Sequence, residues 1–348
     1  MTGEQWEQVK HVFEELAEAS PERQSGRLAS LPDREIAAEV ERLLAKMVEA
    51  GAEFLAQPVH DFHTASSAER DPQYRPGDLL GGRFQIVRLI GSGGMGEVYE
   101  AEDRQLGTNI AVKSLAAQWN ADRDVERRFR REVHMARQIT HPNVCRVYDI
   151  FTHHTPQGEA LLITMELLDG ETLAARLRRV RRMTVEEAWP LLQQLAAGLE
   201  AAHQCGIIHR DLKPANLMIC SRSTALDERL AITDFGLARP EHRGDASRSS
   251  NSLLLGTPAY MAPEQFLGEA DIRSDIYSMG VILYEMLAGG TPHRNALKPF
   301  PDEDMVPRRW QRAIHTCLAE DPAQRFRAPS EILAAIRQER WWSSLLRF

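Results

Sequence analysis

The sequence has few of the features that mark membrane, disulfide-stabilised or nucleic-acid-binding proteins. Its most apolar stretch, residues 277–290, is too short to span a bilayer and contains Glu285, so it predicts a buried helix. The four cysteines are scattered without a CxxC pair, which favours reduced thiols over a metal or redox site. Acidic residues outnumber basic ones by 50 to 42, and the net charge of −8 argues against a general nucleic-acid-binding role.

The chain begins with MTGEQWEQVK, which is acidic and amphipathic and does not resemble a secretory signal. We therefore expect a cytoplasmic protein with no transmembrane segment and no nucleic-acid partner. A length of 348 residues allows two compact domains, or one two-lobed domain with an appendage.

The pattern of apolar residues divides the chain into four regions. In residues 1–57 apolar side chains recur at three- and four-residue intervals, which predicts a small helical region. Its apolar stripes need a partner surface, either as a regulatory or oligomerisation module or by packing on the rest of the chain. Residues 58–77 have few apolar side chains and three prolines, which predicts a linker. Residues 78–338 carry strand-like runs followed by helical patterns, and residues 339–348 form a C-terminal tail.

The first chemical motif is the glycine-rich stretch GSGGMGEV at residues 91–98. Such glycines occur in two kinds of nucleotide-binding fold and also in ordinary turns. In a dinucleotide-binding fold the glycines open a helix, whereas here the strand-like runs RFQIVRLI and EVYEAED flank them, so they join two strands. A glycine hairpin can bring backbone N–H groups close to phosphates because no side chains intervene.

The strand-like run NIAVKSL ends its apolar stretch at Lys113, and a charged helix is predicted at about residues 124–138. A lysine in this position is costly to bury without a partner. Glu132 lies in the charged helix beside its apolar stripe and is the candidate partner for an ion pair. A surface lysine and a solvated glutamate are the alternative interpretation. The runs CRVYDIF and ALLITMEL complete the predicted strands.

The string HRDLKPAN at residues 209–216 places a carboxylate, a cation and an amide close together. Phosphoryl transfer onto a hydroxyl needs these three functions, because it requires an oriented nucleophile, neutralised charge and a metal ligand. Asp234, in the string TDFG, follows Asn216 by 18 residues and supplies a second carboxylate. Hard oxygen ligands of this kind suit Mg²⁺ or Mn²⁺.

With Ala262-Pro263-Glu264 as the last motif, the sequence resembles the eukaryotic-like serine/threonine protein kinases of bacteria, from about residue 83 to 336. The resemblance implies an α+β, bilobal protein-kinase-like fold after the small helical N-terminal region. The β-rich N-lobe is expected at residues 83–168 and the helical C-lobe at 169–338. It also implies transfer of the ATP γ-phosphate, with Mg²⁺ or Mn²⁺, to serine and threonine hydroxyls of protein substrates. Self-association for trans-autophosphorylation is a further expectation.

The resemblance also implies a role for each motif residue. Asp211 is the expected catalytic base, Lys213 neutralises the transferred phosphoryl group, and Asn216 and Asp234 hold the metal ions. Thr257, in the segment GTPAY that receives the protein substrate, is expected to reach Asp211. The residues expected around ATP lie in the glycine loop, around the adenine and at the hinge between the lobes: Ile90, Gly91, Ser92, Gly93, Gly94, Met95, Gly96, Glu97, Val98, Ala111, Lys113, Glu132, Met165, Glu166, Leu168 and Met218.

Two long-range contacts follow from the resemblance as well. Glu264 is expected to pair with Arg325, and Asp275 to hydrogen-bond the backbone of the catalytic loop. Relatives that carry Arg210 before the catalytic aspartate are usually switched by phosphorylation between the DFG and APE motifs. The candidate sites in this segment are four serines: Ser247, Ser249, Ser250 and Ser252. A flexible serine-rich loop without a regulatory role is the alternative.

Two other classes compete with a protein kinase. A pseudokinase scaffold is disfavoured because Lys113, Asp211 and Asp234 are all present, and a small-molecule phosphotransferase is disfavoured by the APE and GTPAY segments. One departure from the family follows Gly290, where the chain resembles a kinase from which much of a substrate-lobe helix has been removed. The departure bears on substrate docking and leaves the catalytic centre unchanged.

Overall fold

The computed structural model describes residues 72–93, 96–115, 123–155, 158–221, 228–235, 258–292, 300 and 306–337, and parts of the stretch from 12 to 41. The chain divides into two compact units, Met1–Asp71 and Pro72–Phe348. In the first unit four residues of the predicted apolar stripes are buried together: Val12, Leu16, Ile36 and Val40. At these positions the two stripes bury each other, which gives this unit an apolar core of its own.

The N-lobe of the second unit is a six-stranded antiparallel sheet in the order β1-β2-β3-β4-β6-β5. Its strands are β1 (Leu79–Leu80), β2 (Phe84–Gly93), β3 (Gly96–Asp103), β4 (Thr108–Leu115), β5 (Val147–Thr155) and β6 (Gly158–Met165). Tyr99 and Ala101 of β3 are fully buried in the apolar core of the sheet, and Glu102, the next residue along the strand, is exposed. One face of the sheet is thus covered, as expected when successive side chains point to opposite faces.

Helix α1 (Arg123–Ala136) covers part of this sheet. Phe129 and Val133, one turn apart, pack on Leu161 and Ile163 of β6. The predicted helix therefore buries the predicted stripe and leaves its many charges on the other face.

The C-lobe consists of helices around a small three-stranded sheet, β7 (Gly170–Thr172), β8 (Leu217–Ser221) and β9 (Glu228–Ile232). The helices are α2 (Leu173–Val180), α3 (Val185–Gln204), α4 (Ile272–Ala288), α5 (Arg308–Cys317) and α6 (Pro329–Arg337). The run predicted to be a buried helix lies in α4, which is buried along most of its length. Within the part of the chain that the structure describes, no helix has both the length and the apolar character needed to cross a membrane.

Two local differences from the sequence-based expectations have physical reasons. Strand β5 begins at Val147, because the backbone N–H of Cys145 donates to the carbonyl of Ile232 on β9 (2.8 Å) instead of joining the N-lobe sheet. Tyr74 falls in the predicted linker, yet it is buried against the ring of Tyr99, with ring centroids 5.6 Å apart. One aromatic residue among polar neighbours gives no periodic signal. The domain boundaries themselves stay predictions.

Candidate active site

A buried carboxylate on α4 binds the backbone of the catalytic loop, residues 209–216. Asp275 is fully buried, and its Oδ2 accepts the backbone N–H of His209 (2.8 Å) while its Oδ1 accepts that of Arg210 (2.9 Å). His203 Nε2 lies 2.8 Å from the same Oδ2. A buried carboxylate is tolerated when its lone pairs are occupied in this way. The predicted contact from Asp275 to the catalytic loop is thereby confirmed.

Three polar side chains of the loop converge beside this anchor. Lys213 Nζ lies 3.0 Å from Asp211 Oδ2. The Nδ2 of Asn216 donates to the Asp211 backbone oxygen (2.8 Å) and to its Oδ2 (3.2 Å). Because its Nδ2 faces Asp211, the oxygen of the Asn216 amide is the atom turned to the other side. A carboxylate, a cation and an oxygen donor therefore share one site, as the spacing predicts.

Asp234 is brought to the same site by backbone hydrogen bonds. The N–H of Thr233 donates to the carbonyl of Asn216 (2.9 Å), which aligns the two motifs side by side. Asp234 has a φ of 56°, in the left-handed region that residues with a Cβ seldom adopt. Asn216 and Asp234 thus supply hard oxygen donors of the kind that divalent cations prefer.

Lys113 crosses from the N-lobe to this carboxylate. Its Nζ lies 2.6 Å from Asp234 Oδ1, and its side chain is 8% exposed. Burial raises the pKa of Asp234, but the ammonium of Lys113 outweighs burial and the pKa lies below its ordinary value. Glu132 is half-buried on α1, and its predicted pairing with Lys113 stays a prediction.

The glycine hairpin lies next to this lysine because of the register of three strands. Gly91 pairs with Val98 across β2 and β3, and Val98 pairs with Lys113 across β3 and β4. The carboxylate of Glu97 contacts the hydroxyl of Tyr99 and accepts the N–H of Gln73 (3.0 Å), so it is used within the N-lobe. Several predicted site residues lie outside the described residues: Gly94, Met95, Thr257, Ser247, Ser249, Ser250 and Ser252.

The residues predicted to surround the adenine belong to both sheets. Ala111 is buried and pairs with Met165 across β4 and β6. The other apolar residues predicted here are half-buried on β2, β3 and β8: Ile90, Val98 and Met218. Leu168 follows β6 and is half-buried, and its predicted contact with the adenine edge stays a prediction. Apolar side chains of this kind suit the faces of a flat heterocycle.

The Glu166 side chain is held by an ion pair that was not predicted from the sequence. Arg229 on β9 pairs with both carboxylate oxygens of Glu166, and its Nη2 is 3.0 Å from Oε2. The backbone N–H of Arg146 donates to the same carboxylate (3.3 Å). Burial raises the pKa of Glu166, but these contacts outweigh burial and the pKa lies below its ordinary value. The Glu166 side chain is thus fixed to the C-lobe, and its predicted hinge role stays a prediction.

Two polar contacts hold the described segment that follows the DFG motif, one to Arg325 and one to helix α4. Glu264 forms a bidentate ion pair with Arg325, at 2.7 Å and 2.9 Å, which confirms the predicted contact. The hydroxyl of Tyr260 donates to Glu285 Oε2 (2.6 Å). Burial raises the pKa of both Tyr260 and Glu285, which favours the protonated tyrosine as the donor.

Comparison with known proteins agrees with this geometry. The protein kinase domain family matches residues 84–336. The serine/threonine-protein kinase PknA of Mycobacterium tuberculosis is 34% identical over 282 residues, which cover 76% of this chain and 64% of PknA. The serine/threonine-protein kinase pkn2 of Myxococcus xanthus is 43% identical over 216 residues, which cover 62% of this chain and 25% of pkn2. The chain therefore spans less than two thirds of the length of these relatives.

Solved structures give the same result for the fold. The crystal structure of the Mycobacterium tuberculosis PknI kinase domain is similar to this chain with a TM-score of 0.60 and 28% sequence identity. The similarity covers 76% of this chain and 98% of the PknI domain. A protein kinase domain uses ATP together with a divalent metal ion. Strands β2 to β9, helices α1 to α5 and the ordered motifs lie within the matched residues. The chain belongs to the protein kinase domain family, among the eukaryotic-like serine/threonine kinases of bacteria.

Proposed function

We propose that the chain is an ATP-dependent serine/threonine protein kinase that phosphorylates proteins. The observation that carries the proposal is the convergence of Asp211, Lys213, Asn216, Asp234 and Lys113 at one site between the lobes. A pseudokinase scaffold does not require this complete set. A small-molecule phosphotransferase does not require the anchored segment that ends at Glu264.

Asp211 acts on the acceptor side of the reaction. Its carboxylate orients the hydroxyl of the substrate and takes up the hydroxyl proton. The hydroxyl oxygen forms a bond to the γ-phosphorus, the bond from this phosphorus to the bridging oxygen breaks, and ADP leaves. Lys213, 3.0 Å from the Asp211 carboxylate, adds positive charge where the transferred group is most negative.

The nucleotide side is formed by Lys113, Asn216 and Asp234. The oxygens of Asn216 and Asp234 hold Mg²⁺ or Mn²⁺, which neutralises the phosphates of ATP. Lys113 contacts the α- and β-phosphates under the glycine hairpin, with Glu132 as its partner. At the hinge, the backbones of Glu166 and Leu168 bind the adenine edge, and half-buried apolar residues cover its faces.

Regulation and partners form the last part of the proposal. Thr257 reaches Asp211 from the substrate segment, and two copies of the chain associate transiently for autophosphorylation in trans. A phosphate on one of the serines at residues 247–252 contacts Arg210 and orders that segment. A cytoplasmic location and the absence of a nucleic-acid partner remain predictions from composition.

The experiment that tests the proposal compares the wild-type chain with Asp211→Asn in an assay with labelled ATP, divalent metal and a generic basic protein. We expect the variant to lose at least about 100-fold in phosphate transfer, because positioned acid–base groups contribute about 10²–10⁴-fold. Metal-dependent nucleotide binding should be retained, since the change lies on the acceptor side. Asp234→Asn is the matched control and should weaken that binding. Wild-type turnover by Asp211→Asn would contradict the role of Asp211, and no transfer by the wild-type chain would contradict the proposed function.

A further inference from the structure

The residue before the proposed catalytic carboxylate has an unfavourable backbone conformation. Arg210 has a φ of 63°, in the left-handed region that side chains with a Cβ avoid. Such a conformation persists only where the surroundings hold it in place. The contacts of the Arg210 backbone therefore bear directly on where Asp211 lies.

Both ends of Arg210 are held by buried side chains. Its N–H donates to Asp275 Oδ1 (2.9 Å), and its carbonyl accepts from Gln265 Nε2 (2.8 Å). Gln265 is 8% exposed and lies in the short 3-10 turn Pro263–Leu267, directly after the APE motif. Its Oε1 accepts the N–H of Ala262, which is itself fully buried (3.0 Å). One amide thus joins the substrate segment to the catalytic loop.

The planarity of the peptide bond gives this contact a consequence for Asp211. The carbonyl of Arg210 and the N–H of Asp211 belong to the same rigid peptide plane. The N–H of Asp211 donates to the carbonyl of His209 (2.8 Å), so this plane is held at both of its polar ends. Fixing the plane fixes the Cα from which the Asp211 carboxylate projects.

We propose that Gln265 is a positioning residue for Asp211, through which the substrate-binding segment controls the direction of the catalytic carboxylate. The inference rests on the proposed function, because it assigns Gln265 a part in that reaction. Removing the amide takes one hydrogen bond from the part-buried carbonyl of Arg210 and one from the buried N–H of Ala262. The plane can then rotate, and Asp211 loses its alignment while the nucleotide side of the site is unaffected.

The test uses Gln265→Met in the full chain, because methionine has a similar length and cannot make either hydrogen bond. We expect kcat to fall about 10–100-fold, since small misplacements of a catalytic group have effects of this size. KM for ATP should change less than about threefold, because the loss falls on the chemical step. Gln265→Ala, whose smaller side chain excludes a packing clash, should show the same split between kcat and KM.

Gln311→Met is the matched control. Gln311 also donates from Nε2 to a backbone carbonyl, that of Val306 (2.8 Å), but it lies on α5. We expect a comparable loss of thermal stability, with kcat within about twofold of wild type measured well below the unfolding temperature. A kcat for either folded Gln265 variant that matches the control would overturn the inference.

Amide hydrogen exchange at residues 209–211 is the second measurement and does not depend on activity. Gln265→Met should accelerate exchange of the Asp211 amide, and Gln311→Met should not. Unchanged exchange in the Gln265 variant would refute the positioning role. Faster exchange together with an inactive wild-type chain would uphold the positioning role and contradict the proposed function instead.

Discussion

The ion pair between Glu264 and Arg325 allows a quantitative prediction about stability. The Arg325 side chain is 0% exposed and that of Glu264 is 9% exposed. Two parallel hydrogen bonds join them, and the guanidinium also donates to three backbone carbonyls, those of Ala319, Glu320 and Arg273. Every part of the cation is therefore satisfied inside the C-lobe.

Arg325→Met removes this cation and leaves the Glu264 carboxylate buried against the hydroxyl of Ser274 (2.6 Å). Breaking a buried pair by removing one partner costs about 3–5 kcal/mol. For a domain of this size, each kcal/mol lowers the melting temperature by about 2–4 °C, so we expect a decrease of roughly 6–20 °C. The double variant Glu264→Gln/Arg325→Met removes the unpaired charge as well and should regain part of the loss.

The pH dependence of this loss has a defined sign. Burial raises the pKa of Glu264, but the hydrogen bonds from Arg325 and Ser274 outweigh it, so the pKa lies below its ordinary value of 4.5. A carboxyl whose pKa is lower in the folded state stabilises the fold above the unfolded-state pKa, and this contribution disappears as the pH falls through the folded-state pKa. In Arg325→Met burial remains without the guanidinium, so the folded-state pKa of Glu264 rises above 4.5. The stability difference between wild type and variant should therefore be largest at neutral pH, begin to shrink as the pH falls through that raised pKa, and shrink further below 4.5.

Thermal and urea unfolding, followed by circular dichroism at several pH values, measure this difference. Arg137→Met is a suitable control, because Arg137 pairs with Asp149 at the surface of the N-lobe (3.1 Å) and surface pairs contribute about 0–1 kcal/mol. A loss below about 1 kcal/mol for Arg325→Met at neutral pH would refute the reasoning, because it would mean that water reaches the carboxylate or that the lobe rearranges around it.

The remaining predictions concern the nucleotide and the segment between the DFG and APE motifs. Arg229→Ala should raise KM for ATP about five- to tenfold with little change in kcat, because it frees the hinge residue Glu166. Arg176→Ala breaks a comparable pair with Glu228 on the same strand and should leave KM unchanged; equal effects in steady-state kinetics would count against the hinge argument. Mass spectrometry of active protein incubated with ATP should find phosphate within residues 247–252. Replacing Ser247, Ser249, Ser250 and Ser252 with alanine should lower activity, and full activity without modification would exclude this switch.

Parts of the site that depend on neighbouring residues could be predicted from the sequence. Asp211, Lys213 and Asn216 lie within one short loop, so their convergence follows from the local backbone once the loop is recognised. The larger N-lobe strands and the helices after them could be predicted from the change in apolar period. The short strand β1 and the small sheet of β7, β8 and β9 were not predicted, and β5 begins later than expected. Asp275 and Arg325 were predicted through the family resemblance, because no periodic pattern marks a long-range polar contact.

The roles of Gln265 and Arg229 could not be predicted, because their partners lie far away along the chain. Gln265 reaches a carbonyl 55 residues away, and Arg229 reaches a carboxylate 63 residues away. Glutamine and arginine are ordinary surface residues in most positions, so neither composition nor spacing distinguishes these two. Their roles depend on how the helical lobe packs on the loops, which is decided by the whole core rather than by the local sequence.

The choice of partner for Lys113 shows the same limit at the centre of the site. The cost of burying its ammonium predicts that a carboxylate must lie near it, and the sequence offers Glu132 on the next helix. The structure brings a further carboxylate, that of Asp234, 121 residues away, to within 2.6 Å of Nζ, and the pairing with Glu132 stays a prediction. Charge specifies that a partner is needed, but it does not point to a carboxylate so far along the chain.

A positive φ marks two positions in the catalytic motifs that residue type alone does not distinguish. Among the described residues, three that are not glycine have a positive φ: Arg181, Arg210 and Asp234. Arg181 is the C-cap of helix α2, and its backbone N–H donates to the carbonyl of Leu177. The other two lie in the catalytic motifs, and each is held by contacts from distant segments: Asp275 and Gln265 hold Arg210, and Lys113 holds Asp234. A strained backbone conformation costs free energy and persists only where several contacts hold it in place. Such conformations cluster at functional sites, so the strain at Arg210 and Asp234 indicates where the chemistry of this fold takes place.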